Sequence, residues 1–387
     1  MNANEAKPAD LRRREARYLL KIALFALPFV IVFGLPVFAL WRAGEFMSYE
    51  AIQAQRMQRP MTVELTYSGQ MYYLDLDSVV RFRPQVLVLG SSRVEEVRST
   101  FFDASATSYT VTPIMQQIGN FAQFVRAIPA SSTPRILVIG LDQKFFNPNY
   151  DASAFGPDDI TPSLGERQVP ATTVLGNWWA HWSAIYGYYL DGRFPAGELV
   201  HPSATAIGVW AVGNHTGFRN DGSYDPGLDL YSPAYQNVSL SDIDLGIDGF
   251  EYADAISTSS LATLDALLAD CAARGIHVVG FVPPFSPVIY GKVSSLPANY
   301  GYLGEITPRA GALFKKHGFS FFNFTDPTSV GVVQDDMMDG LHPTERGMLK
   351  LFVAMANGDP VLRRYADPAF LQSQLAASDR EVDVVAR

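Results

Sequence analysis

The chain has 387 residues, 48% of them hydrophobic and 18% charged, with a formal net charge of −9, which describes a globular protein with a sizeable core and not a disordered one. The acidic balance, with no basic cluster beyond residue 21, excludes a nucleic-acid surface, because phosphate binding needs gathered Lys and Arg. The single cysteine, Cys271, excludes an intrachain disulfide and a thiolate metal site; it lies in an Ala- and Leu-rich helical pattern that predicts a buried structural thiol.

The first element is an apolar run, Ile22 to Trp41, of 20 residues without a charge. At about 1.5 Å per residue it matches a hydrocarbon core of about 30 Å. Arg12, Arg13, Arg14, Arg17 and Lys21 precede it, so the positive-inside rule places the N-terminus in the cytoplasm. Pro28 and Pro36 would kink a soluble helix but are tolerated in a membrane span. A cleaved signal peptide and a buried core helix compete with this reading. The run exceeds the usual signal-peptide apolar stretch, however, and no clear A-x-A site follows. The expectation is an uncleaved single-pass anchor of the inner membrane at 22–41, behind a cytoplasmic basic tail (1–21), with the rest of the chain in the periplasm.

Residues 42–79 read as an approach segment, amphipathic in "SYEAIQAQRMQ" and strand-like in "MTVELTY". From Val86 short apolar runs alternate with helical patterns. The runs "VLVLG" (86–90), "RILVIGL" (135–141), "IHVVGFV" (276–282) and "FSFFNF" (319–324) predict buried parallel strands. Helices are predicted over 118–128, 259–275 and 307–318; the last two end in Gly, and the last carries Lys315, Lys316 and His317 where the helix dipole favours cations. This alternation predicts an α/β fold, a three-layer doubly wound parallel sheet of flavodoxin-like type, over 80–365. One stretch interrupts it. Residues 145–255 are rich in Asn, Pro, Gly, Tyr and Trp, above all in "NWWAHWSAIYGYYLDG" (177–192). They read as a long aromatic-rich insertion, either a lid or binding wall or a subdomain with its own aromatic core. The polar tail 366–387 reads as a loosely docked helix.

Ligands of open α/β sheets sit at the carboxyl ends of the strands. Gly90-Ser91-Ser92-Arg93 stands at the first such edge, where a serine can cap the next helix or project a hydroxyl into the crevice. "MMDGLHPTERG" (337–347) then places Asp339 and His342 three apart, ahead of a helix starting near Thr344. A neutral histidine can take a serine's proton, while a carboxylate on its other nitrogen fixes the tautomer. Read alone, His342 could equally cap that helix and Asp339 be a solvated loop acid. Together with the serine edge they make a triad in the order Ser92, Asp339, His342. G-x-S-x-G, the P-loop and G-x-G-x-x-G are all absent. The six histidines show no H-x-x-x-H spacing, so no metal and no cofactor is expected. His277, inside a strand pattern, reads as a satisfied core residue.

The two blocks resemble the SGNH (GDSL-type) hydrolase superfamily, with Ser92 in the nucleophile position and Asp339-Gly340-Leu341-His342 as the last block. The likeness is greatest to the membrane-anchored acyltransferase branch, which includes the D-alanine transfer protein of teichoic acid synthesis and the acetylation proteins of alginate-type polysaccharides. "FVPPFSPVIY" (281–290) is similar to that branch's strand and proline-rich active-site loop. The resemblance covers 80–150 and 256–357. It departs at the oxyanion blocks: Gly140-Leu141-Asp142-Gln143 has an acid where the family places an asparagine, and no glycine stands after "SYTVT" (108–112). A carboxylate donates no hydrogen bond unless protonated. Ser91, Arg93, Thr112, Asp142 and Gln143 are the expected oxyanion and substrate-binding residues.

The resemblance implies an extracytoplasmic O-acyltransferase or esterase acting on an envelope or secreted polysaccharide. It would take an acyl donor and a glycan acceptor, beside a multispanning membrane acyltransferase. The alternative is a non-catalytic SGNH-fold binding or assembly protein of a polysaccharide acylation or export complex.

Overall fold

The computed structural model describes residues 7–66, 71–112, 114–152, 171–180, 182, 187, 190, 205–227 and 234–385. Much of the aromatic stretch 177–192, and a large part of the 145–255 insertion around it, therefore lies outside the described residues.

The N-terminus is one apolar rod. It is α-helical from Lys7 to Phe29, widens to a π turn over Val30–Gly34, and continues as an α-helix over Leu35–Arg42. The π turn falls where Pro36 demands it: proline has no N–H and its ring crowds the carbonyl four residues back, so the ladder loosens there. Arg12–Gly34 is long and apolar enough to cross a membrane, and none of its apolar window is buried by protein. The rod's outer end differs from the expected free span. Ala39 is buried, and Leu40 and Ala43 join a hydrophobic cluster with Tyr49, Ile52, Val63, Leu74, Val174 and Ile207.

The expected linker accordingly folds. It supplies the helix Tyr49–Arg56, capped by Ser48, and strand β1 (Thr62–Val63). Three more strands follow the linker and precede the insertion, β2 (Val86–Leu89), β3 (Ser108–Val111) and β4 (Ile136–Gly140), and β5 (Ala206–Ile207) is the insertion's first described strand. β6 (Gly217–Phe218), β7 (Tyr224–Asp225), β8 (His277–Val282) and β9 (Ser320–Asn323) complete the set among the described residues. β1 pairs with β5 and β6 in a small sheet of order β5-β1-β6-β7, so the linker and the insertion make one subdomain at the top of the rod.

The main sheet has five parallel strands in the order β3-β2-β4-β8-β9. Its strands are apolar on both faces, and the pleat sorts the residues. Leu87, Leu89, Leu137, Ile139 and Val278 enter a core shared with the helices Ile118–Ala127, Thr258–Ala273 and Gly301–Lys316. Val86, Val88, Ile136, Val138 and Val279 enter a second core under the helix Glu345–Gly358. Helices on both faces of a parallel sheet are the arrangement that buries such strands. Numbered within the sheet, the strands run 2-1-3-4-5, so the chain reverses direction between β2 and β4, and the crevice at that reversal is where such sheets hold ligands.

Two elements differ from their sequence reading. The helix expected from 307 begins at Gly301, with Pro308 inside it, so the proline marks no boundary. The tail is firmly docked: the helix Pro368–Ala377 buries Leu371 and Leu375, and Val384 and Val385 are buried beyond it. Buried Glu345 holds that end by accepting from the Asp383 and Val384 N–H groups (2.9 and 3.0 Å) and from Arg98 (2.8 Å). Cys271 is fully buried, and burial pushes its thiol up to about 12. His277 opens β8 and is satisfied by Asp359, 2.8 Å from its Nε2.

Candidate active site

Strand β2 ends at Leu89 and the chain turns at once into a 3₁₀ turn, Ser92–Val94. The turn is tight because Val94 sits in a notch left by two glycines. A Cβ on Gly90 would lie 2.3 Å from Val94 Cγ2, and one on Gly140 would lie 2.3 Å from Val94 Cγ1. Bare backbone at the ends of β2 and β4 thus lets Val94 wedge across the reversal point. The two serines then divide the work. Ser91 is the cap: its Oγ accepts from the Arg93 N–H (3.2 Å) and donates to Asp142 Oδ1 (3.0 Å). Ser92 is left half-buried with its hydroxyl aimed across the crevice.

That hydroxyl meets His342, with Ser92 Oγ 2.8 Å from Nε2. The other ring nitrogen, Nδ1, lies 2.7 Å from Asp339 Oδ2. Asp339 also shapes the turn that carries the histidine, because its Oδ1 accepts the N–H groups of Leu341 (2.7 Å) and His342 (2.8 Å). Backbone bonds close the turn at Met338 N–H to His342 O (2.8 Å) and dock it on Ser286, whose N–H donates to Gly340 O (3.0 Å). Thr344 then caps the helix Glu345–Gly358 through the Gly347 N–H. Burial raises the Asp339 pKa, but the His342 hydrogen bond and charge and the two backbone N–H groups outweigh it and hold the carboxyl at about 2. It is therefore ionised at neutral pH.

The other expected site residues fall elsewhere. Arg93 is buried and its guanidinium is spent on protein: Nε donates to Leu341 O (3.0 Å), one terminal nitrogen to Gln143 Oε1, and the other to the carbonyls of Pro283 and Pro284. The guanidinium also lies over the Phe285 ring, 5.3 Å from its centroid. Burial lowers its pKa, against the raising pull of Asp142 and Asp339. Arg93 thus ties the ends of β2, β4 and β8 to the His342 turn, as a positioning residue. The Gln143 amide is likewise engaged, donating to Pro283 O (2.7 Å) and Thr325 Oγ1 (3.1 Å). Asp142 is buried and accepts the hydrogen bond of the Ser91 hydroxyl. Thr112 is fully buried at the end of β3, and its hydroxyl has no hydrogen-bond partner among the described residues.

The structure therefore brings Ser92, His342 and Asp339 into one line, sets Ser91, Arg93, Asp142 and Gln143 behind them, and leaves Thr112 outside that network. Sequence reading missed Val94, Phe285 and Thr325 as supports. The proline-rich run 283–287 flagged the loop holding Phe285, whereas a single Thr after a strand carries no signal. Among the described residues no group of three or more His, Cys, Asp or Glu side chains could hold a metal ion. No protein-family model matches the chain, and no curated protein matches it significantly.

Proposed function

We propose that the chain is an SGNH-type serine acyl-transfer enzyme, anchored in the inner membrane with its N-terminus cytoplasmic, that transfers or hydrolyses O-acyl esters of an envelope or secreted polysaccharide in the periplasm. The observation that carries the reading is the pair of short contacts from Ser92 Oγ to His342 Nε2 and from His342 Nδ1 to Asp339. Ser92 Oγ attacks the acyl carbonyl carbon while His342 Nε2 takes its proton, and Asp339 holds the imidazole in the tautomer with Nδ1 protonated. His342 passes the proton to the leaving alkoxide, which departs as an alcohol and leaves an acyl-Ser92 ester. A glycan hydroxyl in transfer, or water in hydrolysis, then attacks the acyl carbon while His342 takes its proton, and the acyl–Ser92 Oγ bond breaks as His342 returns that proton to Ser92. The Ser92 N–H is the first oxyanion donor in this scheme.

The anchor favours transfer, because an acyl donor delivered through the membrane is met at its surface, beside a multispanning membrane acyltransferase. One observation favours the alternative, a non-catalytic binding or assembly protein of the same fold. The Gln143 and Arg93 donors, which an oxyanion would use, are directed into the protein. A fluorophosphonate probe on the full-length protein separates the two. An enzyme is labelled at Ser92 and Ser92→Ala abolishes the label, whereas an unlabelled wild type overturns the catalytic reading.

A further inference from the structure

The insertion contains a helix, Ala171–Ala180, of sequence ATTVLGNWWA, without a charged residue. In the sequence, the stretch free of Asp, Glu, Lys and Arg runs from Gln168 to Leu190. One face of the helix is explained: Val174 and Trp178, four apart, are buried in the cluster that also holds Leu40 of the rod. The opposite face is Thr172, Gly176, Trp179 and Ala180, all exposed, with Trp179 at 63% and nearby Trp182 at 52%. A helix face turned to water carries charged and polar residues. This face has small residues and tryptophan, the side chain enriched where a bilayer meets water.

Its height follows from one contact. The Trp178 ring meets the Phe33 ring edge-on, 6.5 Å between centroids. Phe33 is one residue from the end of the apolar span Arg12–Gly34 and is itself exposed. With the outer membrane boundary at Gly34, Trp178 stands at headgroup level. With the boundary at Trp41, also exposed, it lies roughly 10 Å deeper, at about 1.5 Å per residue. Either placement sets the uncharged face against lipid. The helix has 10 residues, about 15 Å of rise, too short to cross a bilayer.

We propose that Ala171–Ala180, with Trp179 and Trp182, is a second membrane contact, seated in the outer leaflet beside the anchor. A lone span leaves the domain free to rotate and tilt, and a second contact removes that freedom. The same insertion reaches the catalytic turn. Asp221 O accepts from the Thr110 N–H of edge strand β3 (2.8 Å), and the Tyr224 N–H donates to Glu95 O (3.0 Å), three residues beyond Ser92. The bilayer thus fixes the height and facing of the Ser92 crevice. This inference rests on the rod being in the membrane and is independent of the acyl-transfer reading.

The test uses the full-length protein in phosphatidylcholine nanodiscs, with and without bromine on the acyl chains. Trp41→Phe/Trp210→Phe leaves Trp178, Trp179 and Trp182 as emitters. A second protein with all five tryptophans changed to Phe and Phe25→Trp serves as a ruler inside the span. Brominated lipid should remove most of the emission from both, and aqueous iodide little from either. Iodide quenching without bromolipid quenching, in the face of a quenched ruler, overturns the second contact and leaves the anchor standing. Protection from both quenchers means a protein covers this face, and also overturns it. An unquenched ruler removes anchor and contact together. Should the double variant fail to fold, wild type read against Trp178→Phe/Trp179→Phe/Trp182→Phe gives the same contrast.

Discussion

Asp339 divides its two oxygens between building a turn and orienting a base, so its replacement separates those roles. Asp339→Asn keeps the acceptor for the Leu341 and His342 N–H groups but presents an amide N–H, or a far weaker acceptor, to Nδ1. The fold should persist while turnover falls by about 10⁴-fold, the loss expected when a base is held in the wrong tautomer. His342→Ala should cost about 10²- to 10⁴-fold. Both are read as fluorophosphonate labelling rates beside an unchanged circular-dichroism melt. Asp142→Asn tests the family's oxyanion position. Asn Oδ1 can still accept the Ser91 hydrogen bond, and the new amide adds a neutral donor, so labelling should hold or rise; a fall of tenfold or so would show that the negative charge itself is required. Glu96, in the turn after Ser92, is one of the buried acids that make stability depend on alkaline pH, beside Glu95 and Asp75. It is buried, both its oxygens lack a hydrogen-bond partner among the described residues, and its pKa is pushed up to about 8. Burial is the main cause, aided by Glu345 and Asp225 and opposed by Arg219 and Arg98. The folded state therefore prefers the protonated acid: the contribution is complete below the unfolded value near 4.5, declines as pH rises and is lost past about 8. Glu96→Gln should match wild type near about pH 4 and exceed it by a few kcal/mol near about pH 9, measured as urea midpoints. Equal midpoints at both would show that Glu96 is ionised and stabilised in the folded protein.

The 3₁₀ turn at Ser92 owes its shape to two strands at once, because Val94 fills the space that Gly90 and Gly140 leave empty. Gly140→Ala places a methyl group within 2.3 Å of Val94 Cγ1, and overpacking of this kind costs about 1–3 kcal/mol. It should also slow labelling, because the displaced turn carries Ser92 away from His342. Adding Val94→Ala should restore part of both losses, giving a coupling energy of about 0.5–3 kcal/mol in a double-mutant cycle. Additive losses would mean that the wedge does not set the turn. Sequence reading reached this element only in part. The strands β2, β4 and β8 were legible because a short run apolar on both faces, ended by glycine or proline, has few other uses. The glycines read as turn-formers, yet at Gly90 and Gly140 the reason for glycine is a valine from the next turn, a tertiary contact that no local pattern contains. The strands β5, β6 and β7 have two residues each, too few to show any period, whereas β1 lies in the strand-like run "MTVELTY". Ser92, Asp339 and His342 were legible because chemistry limits which residues can stand in those roles. Arg93 was not, because a guanidinium that clamps carbonyls and one that binds substrate look alike in sequence. What separates them is burial, and Arg93 is only 5% exposed.

The whole molecule is a sheet mounted on a rod, and the mounting decides which compartment Ser92 faces. The rod's C-terminal end is welded to the fold through Leu40 and the buried Glu45 carboxylate. Glu45 accepts the Thr66 N–H and hydroxyl and the Val209 N–H, joining the rod to the approach segment and the insertion. The approach segment, the small sheet and the main sheet therefore form one body with the C-terminal end of the rod. The tail extends this to the last described residues, since Glu345 and Arg346 bind it back onto the main domain. Residue 380 is thus a reporter for the domain and not for a free end. Arg380 is exposed, and Cys271, buried with its thiol pushed up to about 12, stays silent toward maleimide. In the wild-type background, Arg380→Cys should react with a membrane-impermeant maleimide in cells whose outer membrane alone is opened. Asn4→Cys, ahead of the basic flank, should react only after the inner membrane is permeabilised. The reverse pattern would place the sheet in the cytoplasm, out of reach of any envelope polysaccharide, and would end the periplasmic acyl-transfer reading even if Ser92 proved reactive in isolation.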